Sequence, residues 1–122
     1  MGDRIVYTFK YSDGNEISLY SHWGGYDRYK NLAYAIDKAR PRWNDETYAA
    51  RIMISNLIGP DWDQETGYGL WPEGEVITSG DHDDIIIHLD SNAVEDETGW
   101  HEFDEFIDFH SSKLDKKEST VV

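Results

Sequence analysis

The sequence predicts an α+β fold: a small antiparallel or mixed sheet, opened by a β-hairpin, with two to three helices packed on it in the order β-β-α-α-β-β-α. Three patterns lead there. Apolar residues alternate with period two at the start of the chain, recur at helical spacing in two consecutive stretches before residue 60, and do so again near residue 105 after a run of isoleucines.

Ile5, Tyr7, Phe9 and Tyr11 alternate with Val6, Thr8 and Lys10, and Ile17, Leu19 and Tyr20 resume the pattern after Ser12-Asp13-Gly14-Asn15. Asp-Gly offers the positive φ angles of a tight turn between twisted strands, so the two runs read as a hairpin. Tyr29, Leu32, Ala33, Ile36 and Arg40 form the stripe of an amphipathic helix over residues 28–40, stopped by Pro41. A second helix starts after Asn44 or Asp45, either of which can cap it, and ends at Gly59-Pro60. Its inner face carries Ala49, Ile52, Met53 and Leu57.

A loop-like stretch, residues 61–75, contains a short strand from Tyr68 to Trp71. Ile85-Ile86-Ile87 and Leu89 mark a central buried strand over 84–90. Trp100, Phe103, Phe106, Ile107 and His110 then recur at helical spacing, with Asp104, Glu105 and Asp108 turned away, which predicts a last helix. Residues 1–112 are expected to form one domain and 113–122 a flexible C-terminal tail.

A chain of 122 residues buries about two thirds of its unfolded surface as a single domain. Its 39% hydrophobic and 14% aromatic content excludes a disordered acidic chain. Lack of cysteine excludes disulfides and thiolate metal sites and fits a reducing compartment. No apolar stretch of signal-peptide or membrane-spanning length is present, so a cytoplasmic protein with no membrane partner is expected. The net charge of −14 is uneven: residues 1–51 hold 8 Lys/Arg against 7 Asp/Glu, 52–112 hold 0 against 16, and 113–122 hold 3 against 2. Such a field repels nucleic acid and attracts cations or a basic protein face.

No nucleophile elbow, zinc-protease helix or phosphate-cradling loop occurs, and the five histidines are scattered, so neither catalysis nor a cofactor is expected. A metal-dependent alternative rests on His82, Asp84, His88 and Asp90, three of which share a face if 84–90 is one strand. Asp81 and Asp83 extend that cluster. Asp61-x-Asp63-x-Glu65 is not a calcium loop, because the sixth position is Thr66 and the twelfth Pro72.

The ligand-binding expectation rests on His22, Trp23, Gly24, Gly25, Arg42, Trp43, Arg51, Tyr68 and Gly69. Aromatic faces stack on a planar base, glycines let a phosphate approach backbone N–H groups, and arginine recognises phosphate in two-point fashion. The competing reading makes Trp23 and Trp43 core anchors and the glycines plain turns.

Leu19-Tyr20-Ser21-His22-Trp23-Gly24-Gly25, with Arg40-x-Arg42-Trp43-x-Asp45-x-x-Tyr48-x-x-Arg51-Ile52 and Glu65-Thr66-Gly67-Tyr68-Gly69, resembles a family of small uncharacterised proteins encoded by bacteriophages and bacteria. The resemblance covers roughly residues 4–92 and implies a setting, phage counter-defence, more than a mechanism. With it, the expectation is a non-catalytic, homodimeric protein that sequesters a small phosphorylated, nucleotide-type immune signal. The alternative is an acidic interaction protein, or nucleic-acid mimic, that occupies a basic host protein through its negative surface.

Overall fold

The computed structural model describes residues 3–72 and 82–110; Asp81 and the expected tail lie outside them. The opening hairpin consists of β1 (Ile5–Lys10) and β2 (Glu16–Ser21), antiparallel with Tyr7 opposite Leu19. Its loop is wider than the tight turn expected. Only Gly14 takes a positive φ, +92°, while the Tyr11 N–H donates to the Asn15 carbonyl at 2.9 Å and the Gly14 N–H to the Tyr11 carbonyl at 3.0 Å. One left-handed glycine closing a longer connection is a common hairpin solution.

Next come α1 (Arg28–Lys38) and α2 (Glu46–Ile58), joined through a 3-10 turn at Arg40–Arg42, where Pro41 cannot continue the α-helical hydrogen bonding. The Asp45 side chain caps α2 by accepting the Tyr48 N–H at 3.5 Å, and Gly59 ends it at φ +66°. β3 (Tyr68–Pro72) returns antiparallel beside β2, and β4 (Ile85–His88) lies parallel beside β1.

Two strands then follow that the sequence reading omits: β5 (Ala93–Asp96) and β6 (Gly99–Glu102), each of four residues. They complete a six-stranded mixed sheet ordered β3-β2-β1-β4-β5-β6. Trp100, expected on the final helix, stands on β6 opposite Glu95. That helix, α3, covers 103–110 of the described residues. It starts where the Glu105 carboxylate reaches back to accept the Glu102 N–H at 3.4 Å, one half of a capping box.

One face of the sheet carries the core. Tyr7, Phe9, Leu19, Ile85, Ile87 and Val94 meet Leu32 and Ile36 of α1, Met53 of α2 and Phe103, Phe106 and Ile107 of α3. The helices share one layer. At the end of the sheet where β1 begins, the Gly25 N–H donates to the Asp3 carbonyl at 2.8 Å and α1 starts directly after. At the opposite end Glu46 opens α2 beside the hairpin loop, accepting the Ser12 N–H and hydroxyl, each at 2.9 Å. α3 runs back toward the first end, from Phe103 beside Trp43 to His110 stacked on Tyr29. Among the described residues no helix is long and apolar enough to cross a membrane.

Candidate functional site

The nine residues expected to build a ligand pocket fall into separate places. His22, Trp23, Gly24 and Gly25 leave the end of β2, and Tyr68 and Gly69 lie alongside on β3, where Tyr68 pairs with Ser21 and Gly69 with Tyr20. These six do come together. The His22 N–H donates to the Gly67 carbonyl at 2.9 Å, the His22 Nδ1 and Tyr20 hydroxyl share a 2.6 Å hydrogen bond, and the Trp23 ring meets His22 edge-on at 4.7 Å, with 66% of Trp23 exposed.

Arg42, Trp43 and Arg51 are not with them. The 11 residues of α1 stand between Gly25 and the Arg42-Trp43 turn, a span of about 16 Å at ~1.5 Å per residue. Trp43 is held as an anchor: its Nε1 donates to the Ile36 carbonyl at 2.9 Å, its ring packs on Phe103 at 5.1 Å, and the Arg40 guanidinium covers it at 4.6 Å. Arg42 lies over the Tyr48 ring at 5.2 Å. Arg51 is exposed on α2 and reaches Ser55 at 3.4 Å. Within one chain, the residues expected to stack a base (Trp23 with Trp43 or Tyr68) and to hold phosphate (Arg42 and Arg51) are not all brought together: Trp23 and Tyr68 share one place, and Arg42, Trp43 and Arg51 lie elsewhere.

The metal-site candidates are dispersed as well. The strand expected over 84–90 spans only Ile85–His88, so Asp84 and Asp90 fall beyond its two ends. The His82 Nε2 lies 3.0 Å from Asp3, whereas the His88 Nε2 lies 3.0 Å from Glu95, with the His88 ring 4.5 Å from Trp100. Among the described residues no group of three or more His, Asp or Glu is arranged to hold a metal ion.

What the fold does assemble is a cavity of about 860 Å³ between the start of α1, the end of α3 and the tip of the β5–β6 hairpin. Two-residue connection Glu97-Thr98 and Gly99, at φ +127°, turn the chain there. Asp96 locks the turn: one carboxylate oxygen accepts the Thr98 N–H at 2.8 Å and the Thr98 hydroxyl at 2.6 Å, and the His101 Nε2 stands 3.3 Å away. Register places His101 opposite Val94, so it faces the helices along with Asp96, while Trp100 and Glu95 face the other way.

Only 4% of the Asp96 side chain is exposed. Burial would raise its pKa, but the Thr98 donors and the His101 imidazole outweigh that and hold the carboxyl below the ordinary value, so it stays ionised. The Thr98 hydroxyl sits 2.9 Å from the same His101 nitrogen. Threonine and aspartate thus share one nitrogen of the imidazole. A nucleophile relay needs them on opposite ring nitrogens, so this arrangement is a clasp.

From α3, Glu105 and Asp108 bring two further carboxylates to the cavity, and Phe106 and Phe109 bring apolar surface. Phe106 meets Tyr29 edge-on at 6.3 Å and His110 at 4.5 Å, and Phe109 is 61% exposed. Neither Lys nor Arg is among the described lining residues. Sequence reasoning missed this cavity because Asp96, Thr98 and His101 lie on strands it did not expect. The available signal was His101 set among the acids of residues 95–105, with Thr98-Gly99 marking a turn shortly before it.

A second cavity of about 560 Å³ at the opposite end includes Asp45, Glu46 and Trp43. There Asp45 caps α2, Glu46 holds Ser12, and Trp43 anchors the core, so these side chains already have structural duties. No protein-family model, curated protein or solved structure matches the chain.

Proposed function

We propose that the protein is a non-catalytic binding protein whose acidic flank engages a basic partner protein. The observation that carries this is the charge of one side of the fold: residues 82–110, which form β4, β5, β6 and α3, hold ten Asp or Glu and no Lys or Arg. On that flank, Glu102, Asp104, Glu105 and Asp108 are exposed, Asp104 paired with Arg40, and so are two aromatics, Trp100 on the sheet face turned away from the helices and Phe109 on α3. Charge of one sign steers a complementary partner and fixes its register, and exposed aromatics supply the desolvated contact that charge alone lacks. The resemblance to phage-encoded proteins supplies the setting, a counter-defence factor that blocks a host protein.

Capture of a nucleotide signal is the weaker reading, because Arg42 stands past the far end of α1 from Trp23 and is engaged with Tyr48, and Arg51 points to Ser55 on α2. Fluorescence anisotropy with two labelled probes, a lysine-rich decapeptide and ADP-ribose, separates the readings. The acidic-flank reading expects peptide binding that weakens about tenfold between low and moderate salt, drops further when Asp104, Glu105 and Asp108 are neutralised together, and survives Trp23→Ala. ADP-ribose binding that is lost in Trp23→Ala, with no peptide binding, would reverse the assignment.

A further inference from the structure

We propose that the outer face of α1 and α2 is a second interaction surface, opposite in sign to the acidic flank, that docks a short acidic segment of a protein. This surface is independent of the acidic-flank reading. Three exposed cations, Lys38, Arg42 and Arg51, gather where the two helices join, in a chain whose net charge is −14.

α1 ends at Lys38, the turn at Arg40–Arg42 follows, and α2 runs back against α1. Lys38 and Arg42 thus stand beside the first two turns of α2, which carry Tyr48 and Arg51. The acids nearest in sequence are already engaged: Asp37 with Arg40 at 3.0 Å, Asp45 with the Tyr48 N–H at 3.5 Å, and Glu46 with the Ser12 hydroxyl at 2.9 Å. Among the described residues none of the three cations pairs with a carboxylate, whereas Lys10, Lys30 and Arg40 each do. Lys38 lies over the half-exposed Tyr34 ring at 5.3 Å and Arg42 over that of Tyr48 at 5.2 Å. Such a contact uses the face of a guanidinium and leaves its N–H edge to meet an anion. Arg51 reaches the neutral Ser55 hydroxyl at 3.4 Å.

The surroundings select among anions. Single-stranded nucleic acid stacks its bases on open aromatic faces, and here both tyrosine rings already carry a cation. A small phosphorylated ligand needs a concave site, and these residues line neither of the two cavities described above. A protein segment needs no cavity: its carboxylates can span separated cations while the tyrosines supply contact area.

The acids of α3 are too distant to cancel the surface. Ala33 and Ala35, about 200° apart around α1, are both fully buried, because α2 flanks α1 on one side and α3 on the other. α3 therefore lies two helix spacings from α2, roughly 16–20 Å, about twice the screening length of ~8 Å at physiological ionic strength.

The test uses the full chain at physiological ionic strength and fluorescence anisotropy with three labelled probes: decapeptides alternating serine with glutamate or with norleucine, and oligothymidylate. The glutamate peptide is expected to bind at least about fivefold tighter than the oligonucleotide, and the norleucine peptide not at all. Arg42→Gln combined with Arg51→Gln should weaken glutamate-peptide binding about tenfold, whereas Arg42→Lys with Arg51→Lys, which keeps both charges, should hold it within about threefold. Neutralising Asp104, Glu105 and Asp108 together should change it less than about twofold. Melting temperatures of all variants are read alongside to confirm folding.

Glutamate-peptide binding that is absent, or that the glutamine pair leaves unchanged, would overturn the surface. Oligothymidylate bound as tightly as the glutamate peptide would overturn the protein partner in favour of a phosphate backbone. The lysine-rich probe reports the acidic flank separately, so either surface can fail without the other.

Discussion

At the scale of single residues, the hairpin clasp is the most consequential polar feature of the acidic flank. Asp96 is nearly buried and accepts two hydrogen bonds from Thr98, with His101 close by. Hydrogen bonds to a charged group contribute about 1.5–3 kcal/mol, so Asp96→Ala is expected to lower unfolding free energy by about 2 kcal/mol, measured by urea denaturation. The pH dependence has a definite sign. The native pKa of Asp96 lies below its unfolded value of about 3.9, so the contribution is present above that value and is lost as pH falls through the lowered native one. The variant should therefore show a shallower loss of stability on acidification than the wild type. An unchanged acid limb would mean that other carboxylates dominate it. Individual residues of this kind are hard to read in a sequence. Asp96 is one of many acids there, and only the hairpin singles it out.

At the scale of elements, what the sequence reading recovered and what it missed have a common physical cause. The hairpin, both central helices, β3 and β4 carry strong local signals: alternation in Ile5 to Lys10, the Leu32-Ala33-Ile36 stripe, the Asp45 cap and the Gly59-Pro60 stop. β5 and β6 carry almost none. Four-residue strands are too short to display a period, and Glu95, Asp96 and Glu102 belong to types with low strand propensity. Their pairing is fixed from outside, by β4 on one side and by the reversal at Gly99. Trp100 then sat three residues before Phe103 and passed for part of a helical stripe.

The same limit applies to Trp43. Its place beside arginines suggested a stacking platform, whereas its ring closes the seam between α1 and α3. Trp43→Ala should cost about 3 kcal/mol in denaturant unfolding, the scale of removing a large aromatic from a packed seam. It should leave lysine-peptide affinity within about twofold, once folding is confirmed by circular dichroism. A large affinity loss with normal stability would restore Trp43 to a ligand site.

For the whole molecule, charge decides both stability and recognition, and salt should move them in opposite directions. A net charge of −14 on 122 residues makes the compact state repel itself, most strongly along the flank formed by residues 82–110, whose sequence contains no Lys or Arg. Among the described residues, the attractive pairs between Lys or Arg and carboxylates that salt would also screen include Arg40 with Asp37 and Asp104, Lys10 with Glu16, and Lys30 with Asp27, all at least partly exposed. Exposed pairs of this kind contribute about 0–1 kcal/mol each. Self-repulsion should win, so raising sodium chloride from about 20 to 300 mM, which shortens the screening length from about 20 to 6 Å, is expected to stabilise the fold. A gain of about 1 kcal/mol corresponds to roughly 4 °C in melting temperature for a domain of this size. Over the same range, binding of a lysine-rich peptide should weaken, because that interaction draws on the very field that salt removes. Thermal unfolding and anisotropy run on one salt series read both signs. Melting temperature that falls with salt would show that local ion pairs outweigh the repulsion. Peptide affinity that ignores salt would move recognition from the carboxylates to an exposed aromatic, Trp100 or Phe109.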